Sequence, residues 1–458
     1  MAGIGFVLRR LVRADRLSAN LSGFSHATLA ASGPWLFTCL VLIAIGLVGQ
    51  GAVQRQVLQQ FSILVAYNFS LALVGSGSIV FVVIRSLANR IYDKDLRGVS
   101  DMLLGSLCLV FGVMALLGGV LYGFVITLAP LERTLAYIGL MLLGGVWLVA
   151  AFMSALKSYW SITVSFFAGM ATAFIASTLL IGRFGLSGLL FGFALGLAVI
   201  FFSLVARVLA EYPGDILQPF AFLPEFPRFW QLALVGLLLN AGLWVDKWVM
   251  LFSPSAAMLG RALFTHEAYE GAMFLAYLSI VPSLALLLVD VETRFFEVYL
   301  HFYKKVAEHA TLEEIRQNHE HVVRILSTGL KRIALLQTVI CLSGLLLAPV
   351  LVSAVGGGAE MVSVLRFGLF GALFHMLLIS TLTVLAYFDL RQELIWVSAT
   401  FLGLNASLTA GSVWLGAEFH GYGYGLAALL SFALAYHLAA SRVNRLPYLT
   451  FIANNPAL

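Results

Sequence analysis

The chain has 458 residues, 61% of them hydrophobic and 11% charged, with a mean hydropathy of +0.97. Soluble domains carry about a quarter charged residues, so the composition excludes a soluble protein and implies a polytopic membrane protein. In so apolar a chain the net charge of +5 marks cytoplasmic loops and does not signal nucleic acid, which is not expected as a partner.

A membrane-crossing helix needs about 20 largely apolar residues. Twelve candidates follow in chain order: 28–49, 61–84, 102–128, 134–154, 159–181, 184–209, 229–253, 269–290, 333–354, 362–387, 392–415 and 422–441. The fold class expected is an all-α polytopic protein with about 12 transmembrane helices in two six-helix lobes. The lobes are 28–209 and 229–441, joined by a linker at 210–228 and followed by a tail at 442–458. Lys and Arg gather in alternate connections, which places both termini in the cytoplasm.

Residues 1–27 precede the first span. There Ile4, Leu8, Leu11 and Leu17 can share one helical face, opposite Arg9, Arg10, Arg13 and Arg16, a pattern suited either to the inner leaflet or to a frayed basic tail. The apolar run after it is too long for the core of a cleavable signal, so an uncleaved first helix is expected.

In the second span, Tyr67 and Asn68 stand above Gly75-Ser76-Gly77-Ser78. Such residues can open a helix toward a cavity or let a neighbouring helix come close. Arg85 lies at the inner end of that span, where an interfacial role competes with one in a passage. Span six carries Gly188, Gly192 and Gly196, a four-residue repeat that allows close helix approach, and its 187–196 stretch aligns with 426–435 in span twelve. The linker holds Pro213, Pro219, Pro224 and Pro227; with the repeat, it favours a six-plus-six build with a site between repeats.

The spans of the first half, as drawn, hold no Asp or Glu. The second half differs. Asp246 lies about 10 Å inside the outer end of span seven, next to Lys247, and an ionised group facing lipid there costs about 2.5 kcal/mol or more. Adjacent side chains on a helix point about 100° apart, so simple pairing between the two is not expected. Asn240, Trp244 and Lys247 share one face, Asp246 follows a neighbouring one, and this polar set suits a hydrated cavity. An interhelical ion pair that locks the fold is the equal alternative. Asp290, Glu292 and Arg294 end span eight and read as interfacial or as part of the passage.

The long inside segment 291–332 reads as helix. Thr311-Leu312-Glu313-Glu314 forms a capping box, and Leu312, Ile315, His319, Val322, Leu326 and Leu330 continue at helical spacing. With Phe295, Val298, Tyr299, Phe302 and Val306 upstream, these stripes rest on bilayer or protein, or else dock a cytoplasmic partner.

Other chemistry is missing. Cys39, Cys108 and Cys341 all lie in apolar runs, which leaves no disulfide framework and no cysteine metal site. There is no GxxxxGK[ST] to hold nucleotide phosphates and no GxSxG. His266-Glu267 and His319-Glu320-His321 do not make HExxH and read as loop histidines. No catalytic residue, metal or cofactor is expected, and the chain is not expected to be an enzyme.

Met1-Ala2-Gly3-Ile4-Gly5-Phe6, Ala31-Ser32-Gly33-Pro34-Trp35 and the chain length resemble the inner-membrane transport family of the Pel exopolysaccharide system. More distantly, Val245-Asp246-Lys247 is similar to the acid-base pair of polysaccharide transporters in the flippase superfamily that also holds MATE antiporters and lipid II flippases. The resemblance implies a MOP/MATE-like fold with a central cavity in the bacterial inner membrane. It also implies Pel polysaccharide as substrate, and inner-membrane Pel components and a cytoplasmic glycosyltransferase as partners. Of its residues, only the pair Asp246 and Lys247 carries over. Three functions stand side by side: a glycan exporter, a cation-coupled antiporter of small amphiphiles, and a non-transporting scaffold for a polysaccharide synthase.

Overall fold

The computed structural model describes residues 17–94, 98–156, 158–214, 217–259, 263–308 and 310–448. The basic stretch Arg9 to Arg16, for which an amphipathic helix was one expectation, lies outside them.

Helices account for nearly all of the described chain: α1 (Leu17–Gly49), α2 (Arg55–Tyr92), α3 (Val99–Val120), α4 (Pro130–Ala155), α5 (Tyr159–Glu211) and α6 (Trp230–Met250). A short antiparallel hairpin, β1 (Ala257–Leu259) and β2 (Leu263–Thr265), pairs Met258 with Phe264. Then come α7 (Glu267–Leu278), α8 (Val281–Val289), α9 (Phe296–Ala307), α10 (Leu312–Ala354), α11 (Ala359–Tyr387), α12 (Arg391–Leu415) and α13 (Tyr422–Asn444).

Eleven helical stretches are long and apolar enough to cross a membrane among the described residues. The longest, Trp160–Glu211, contains two helices that turn at Gly185, where φ is 53° and ψ is −126°. A positive φ is cheap only for glycine, so the chain reverses without a loop. Counting the two arms separately gives the twelve crossings expected. The glycine repeat shows why they pack so closely. A Cβ added at Gly188 would lie 2.6 Å from the Leu180 carbonyl oxygen, one at Gly192 2.3 Å from the Ser177 nitrogen, and one at Gly196 2.5 Å from the Gly169 oxygen. The four-residue spacing thus lays one arm backbone to backbone on the other.

The chain forms two compact units, residues 33–244 with 255–266 and residues 1–32 with 245–254 and 267–458. In the first, α4 packs on α2, α3 and α5 around a core that includes Leu64, Val83, Leu103, Met114, Leu140, Phe152, Leu189 and Ile200. The proline-bearing connection after α5 docks on this core. Asp101 accepts from the Leu217 and Gln218 amides at 2.9 and 3.3 Å, and Phe222 is buried.

In the second unit, α11 packs on α7, α10 and α13. The span expected at 269–290 is interrupted after α7. Pro282 sits in the first turn of α8, where its missing N–H costs nothing, and α8 passes into α9 through a π-helical turn, Asp290–Phe295. Of the expected capping box the N-cap half forms: the Thr311 side chain accepts from the Glu314 amide at 3.3 Å. α9 and α10 then lay their apolar stripes on each other. Phe295, Phe302, Ile315, Val322 and Leu446 make a buried cluster, with Tyr299, Val306 and Leu326 around it. His319 lies on α10 and not in a loop, donating from Nε2 to the Val443 carbonyl at 2.8 Å.

Candidate functional site

α6 carries Asp246 and Lys247 near its C-terminal end, and both belong to the second unit. Contrary to the expectation from helix geometry, the two side chains do pair. Lys247 Nζ lies 3.1 Å from Asp246 Oδ2 and 3.2 Å from Oδ1. Cα–Cβ vectors diverge between neighbours, but four methylenes let the lysine arm curl back over one residue, which a sequence-level angle argument misses. Tyr269 on α7 completes the carboxylate by donating to Oδ2 at 2.9 Å. Asp246 has no exposed surface, whereas the Lys247 side chain keeps 14%. The carboxylate therefore lines nothing, and any passage-lining role of the pair falls to the ammonium.

Around the pair stands a shell of aromatic rings. Lys247 Nζ sits 4.8 Å from the ring centroid of Tyr277, a cation–π distance. Tyr277 meets His375 edge-on at 5.9 Å and Tyr424 at 5.6 Å; His375 stacks on Tyr424 at 6.0 Å and meets Phe401 at 5.2 Å. A Cβ at Gly371 would fall 2.4 Å from the Tyr424 ring, so α11 is thinned where α13 presents that tyrosine. The sequence reading missed Tyr269, Tyr277, His375 and Tyr424. His375 carried a signal: it is an ionisable residue in the middle of an apolar span, which by default marks a site. The tyrosines carried none, since aromatic residues in spans are mostly packing.

The remaining candidates fall into separate groups. In the first unit, Asn68 is buried, donating from Nδ2 to the Ala136 carbonyl at 2.9 Å and accepting from the Tyr122 hydroxyl. It fastens α2 to α4 and to the π-helical turn Leu121–Val125 that follows α3, with both amide atoms committed. Tyr67, half-buried, donates to the Phe264 carbonyl of β2 at 2.6 Å. The glycine-serine stretch below them serves close packing: a Cβ at Gly77 would lie 2.4 Å from Asn240 Nδ2 and 2.7 Å from the Gly236 oxygen, and Ser78 donates to the Ala233 carbonyl at 2.9 Å. Asn240 therefore sits at the crossing of α2 and α6, with Trp244 one turn further on, half-buried. The Arg85 guanidinium lies 5.9 Å from the centroid of the Phe229 ring.

In the second unit, Asp290 opens the π turn. Its Oδ1 takes Arg294 at 3.2 Å and Arg332 of α10 at 3.6 Å. Glu292 is half-buried in the same turn. A further acid, Glu393, is enclosed at the start of α12, 2.6 Å from Arg442 of α13. Asp290 and Glu393 thus meet arginines, whereas Asp246 within α6 meets a lysine and a phenol.

The sequence matches the PelG family, described as "Putative exopolysaccharide Exporter (EPS-E)", over residues 1–451. Among solved structures it is similar to a MOP superfamily transporter from Pyrococcus furiosus described as having a binding pocket of reverse polarity, with a TM-score of 0.66, 12% identity, and 93% of this chain and 96% of that one covered. It is also similar to the outward-facing conformation of a multidrug resistance MATE family transporter, with a TM-score of 0.68, 12% identity and the same coverage. An inward-facing MATE structure gives a TM-score of 0.65 at 12% identity, over 89% of this chain and 95% of that one. At such identities the likeness establishes the fold, that of MOP superfamily transporters. No curated protein matches the sequence.

Proposed function

The chain belongs to the PelG family, and from that premise we propose that it exports an exopolysaccharide across the bacterial inner membrane: Pel polysaccharide, or its lipid-linked or oligomeric precursor, in step with cytoplasmic synthesis. The protein is a multi-pass membrane protein with a transporter fold. In the orientation we propose, both termini are cytoplasmic, because the basic residues of the connections gather on that side.

The observation that supports the site is the asymmetry of the α6 pair. Asp246 is wholly enclosed and Lys247 is partly open. The carboxylate acts as a positioning residue: it holds an ammonium at one place beside the face of Tyr277. An ammonium donates to sugar hydroxyl and ring oxygens, and aromatic rings accept the apolar faces of sugars. Sparse contacts of this kind bind a polymer weakly enough to let it move on. Neither role calls for catalysis or a cofactor.

The test is flux of labelled glycan in proteoliposomes, with and without a proton gradient. The informative variant is the double replacement Asp246→Asn with Lys247→Gln, which leaves no buried charge. It should fold yet lose about tenfold or more of the flux, the worth of one charge-assisted hydrogen bond. Flux equal to that of the unaltered protein would remove Lys247 from the route. Uptake of small cations without glycan movement would favour the antiporter, and binding of a synthase without any flux the scaffold.

A further inference from the structure

α8, the π turn, α10, α11 and α13 enclose a groove of about 460 Å³ that lies wholly within the second unit and is open on one side. Its walls are mostly apolar, with Leu287, Leu326, Ile333 and Val384 among them, and at its polar end stand Asp290, Arg294 and Arg332. Most wall hydroxyls are already committed. Ser327 donates to the Arg324 carbonyl, and Ser380, Thr381 and Thr383 each donate one turn back in α11. The Asp290 carboxylate is different: the residue keeps 8% of its surface, both arginines lie on Oδ1, and Oδ2 has no hydrogen-bond partner among the described residues. A buried carboxylate oxygen without a donor costs free energy on the scale of a lost charged hydrogen bond. The two guanidiniums still keep 42% and 46% of their side-chain surface, so outward N–H groups remain for an anion.

A groove with an unpartnered buried acceptor and two part-exposed cations at one end, and apolar walls along the rest, asks for a specific ligand. It should carry an N–H cation, an anion a few bonds away, and hydrocarbon. We infer that this groove is a binding site for an aminophospholipid, phosphatidylethanolamine in chemical class: its ammonium donates to Asp290 Oδ2, its phosphate accepts from Arg294 and Arg332, and an acyl chain lies along the apolar wall. An ammonium is preferred to a hydroxyl because a bond between two charged groups is about twice as strong. A quaternary ammonium has no N–H and cannot satisfy Oδ2. Gly329 marks the approach: a Cβ there would lie 3.6 Å from Oδ2 and would meet nothing else within 4 Å. Leucine at that place fills the groove in front of the carboxylate without removing a charge.

Native mass spectrometry of the full-length protein, titrated with single lipids of matched chains, reads this directly. Phosphatidylethanolamine should bind about tenfold more tightly than phosphatidylcholine and more tightly than phosphatidylglycerol. Gly329→Leu should abolish the preference while the protein keeps its melting point, and Asp290→Asn should level the three lipids. Equal binding of the phosphatidylcholine, tighter binding of the phosphatidylglycerol, or an unchanged preference in Gly329→Leu would each overturn the site. So would equal competition by soluble glycerophosphoethanolamine, which has the headgroup and no chain. Glycan flux is not part of this readout, so the outcome is independent of the export proposal.

Discussion

In the first unit the closest helix contacts run backbone to backbone. Gly188, Gly192 and Gly196 lie on the facing arm of α5, Gly77 meets Gly236, and the central polar group, Asn68, is a neutral amide with partners on both sides. The second unit instead places an ion pair and four ring-bearing side chains in its interior: Asp246 and Lys247 with Tyr269, Tyr277, His375 and Tyr424. Two ways of holding helices together in lipid are therefore present in one chain. Close glycine packing gains dispersion and exposes no group whose loss strands a charge. The ion-paired cluster is closed only as a set, since each member covers the cost of another. Removing one member should then be far worse in the second unit than in the first.

The largest effect should come from Lys247→Ala. It leaves Asp246, which has no exposed surface, with Tyr269 alone. Breaking a buried pair from one side costs about 3–5 kcal/mol, and SDS-titrated unfolding should show that loss. Replacing both partners by neutral amides should cost under about 1.5 kcal/mol, because no charge is left behind. If the single and double variants lose equal stability, the pair is not closed and the contrast between the units fails.

Gly192→Leu attacks the first unit where its backbones meet. The new side chain must displace Ser177, whose nitrogen would lie 2.3 Å from the added Cβ. Overpacking typically costs about 1–3 kcal/mol, and contact with backbone puts this variant near the upper end. The same unfolding assay should place it between the single and double replacements on α6. A neutral result would mean that the arms of α5 slide apart at no cost.

Hydropathy made the twelve crossings and the α5 hairpin legible, because hydrocarbon thickness and the size of glycine act locally on the sequence. The N-cap at Thr311 was equally local. What stayed hidden depended on partners far along the chain. The curl of Lys247 onto its neighbour becomes favourable only once Tyr269 and Tyr277, over 20 residues on, enclose the carboxylate. The β1–β2 hairpin, expected as loop, carries one short alternation and no strong turn signal. The break between α7 and α8 fell within a run whose hydropathy never dips, where Pro282 was the one mark. The apolar spacing of α9, and of α10 from Ile315 onward, is legible, while Leu312 stays exposed. That the two stripes cover each other is a fact about a pairing that periodicity cannot choose.

Among the single replacements Asn68→Leu gives the smallest expected effect, and it sharpens the comparison most, since its site looks like a polar centre and behaves as packing. The leucine is of similar volume but leaves the Ala136 carbonyl without its side-chain donor and the Tyr122 hydroxyl without an acceptor. The carbonyl retains helical bonding and the hydroxyl can turn, so the loss should be about 1–2 kcal/mol. Glycan flux per folded molecule should be unchanged, because both amide atoms are committed between α2, α4 and the turn after α3. A variant that folds normally but loses flux would reassign Asn68 to the route, and the first unit would then share the transport role proposed for Lys247 in the second.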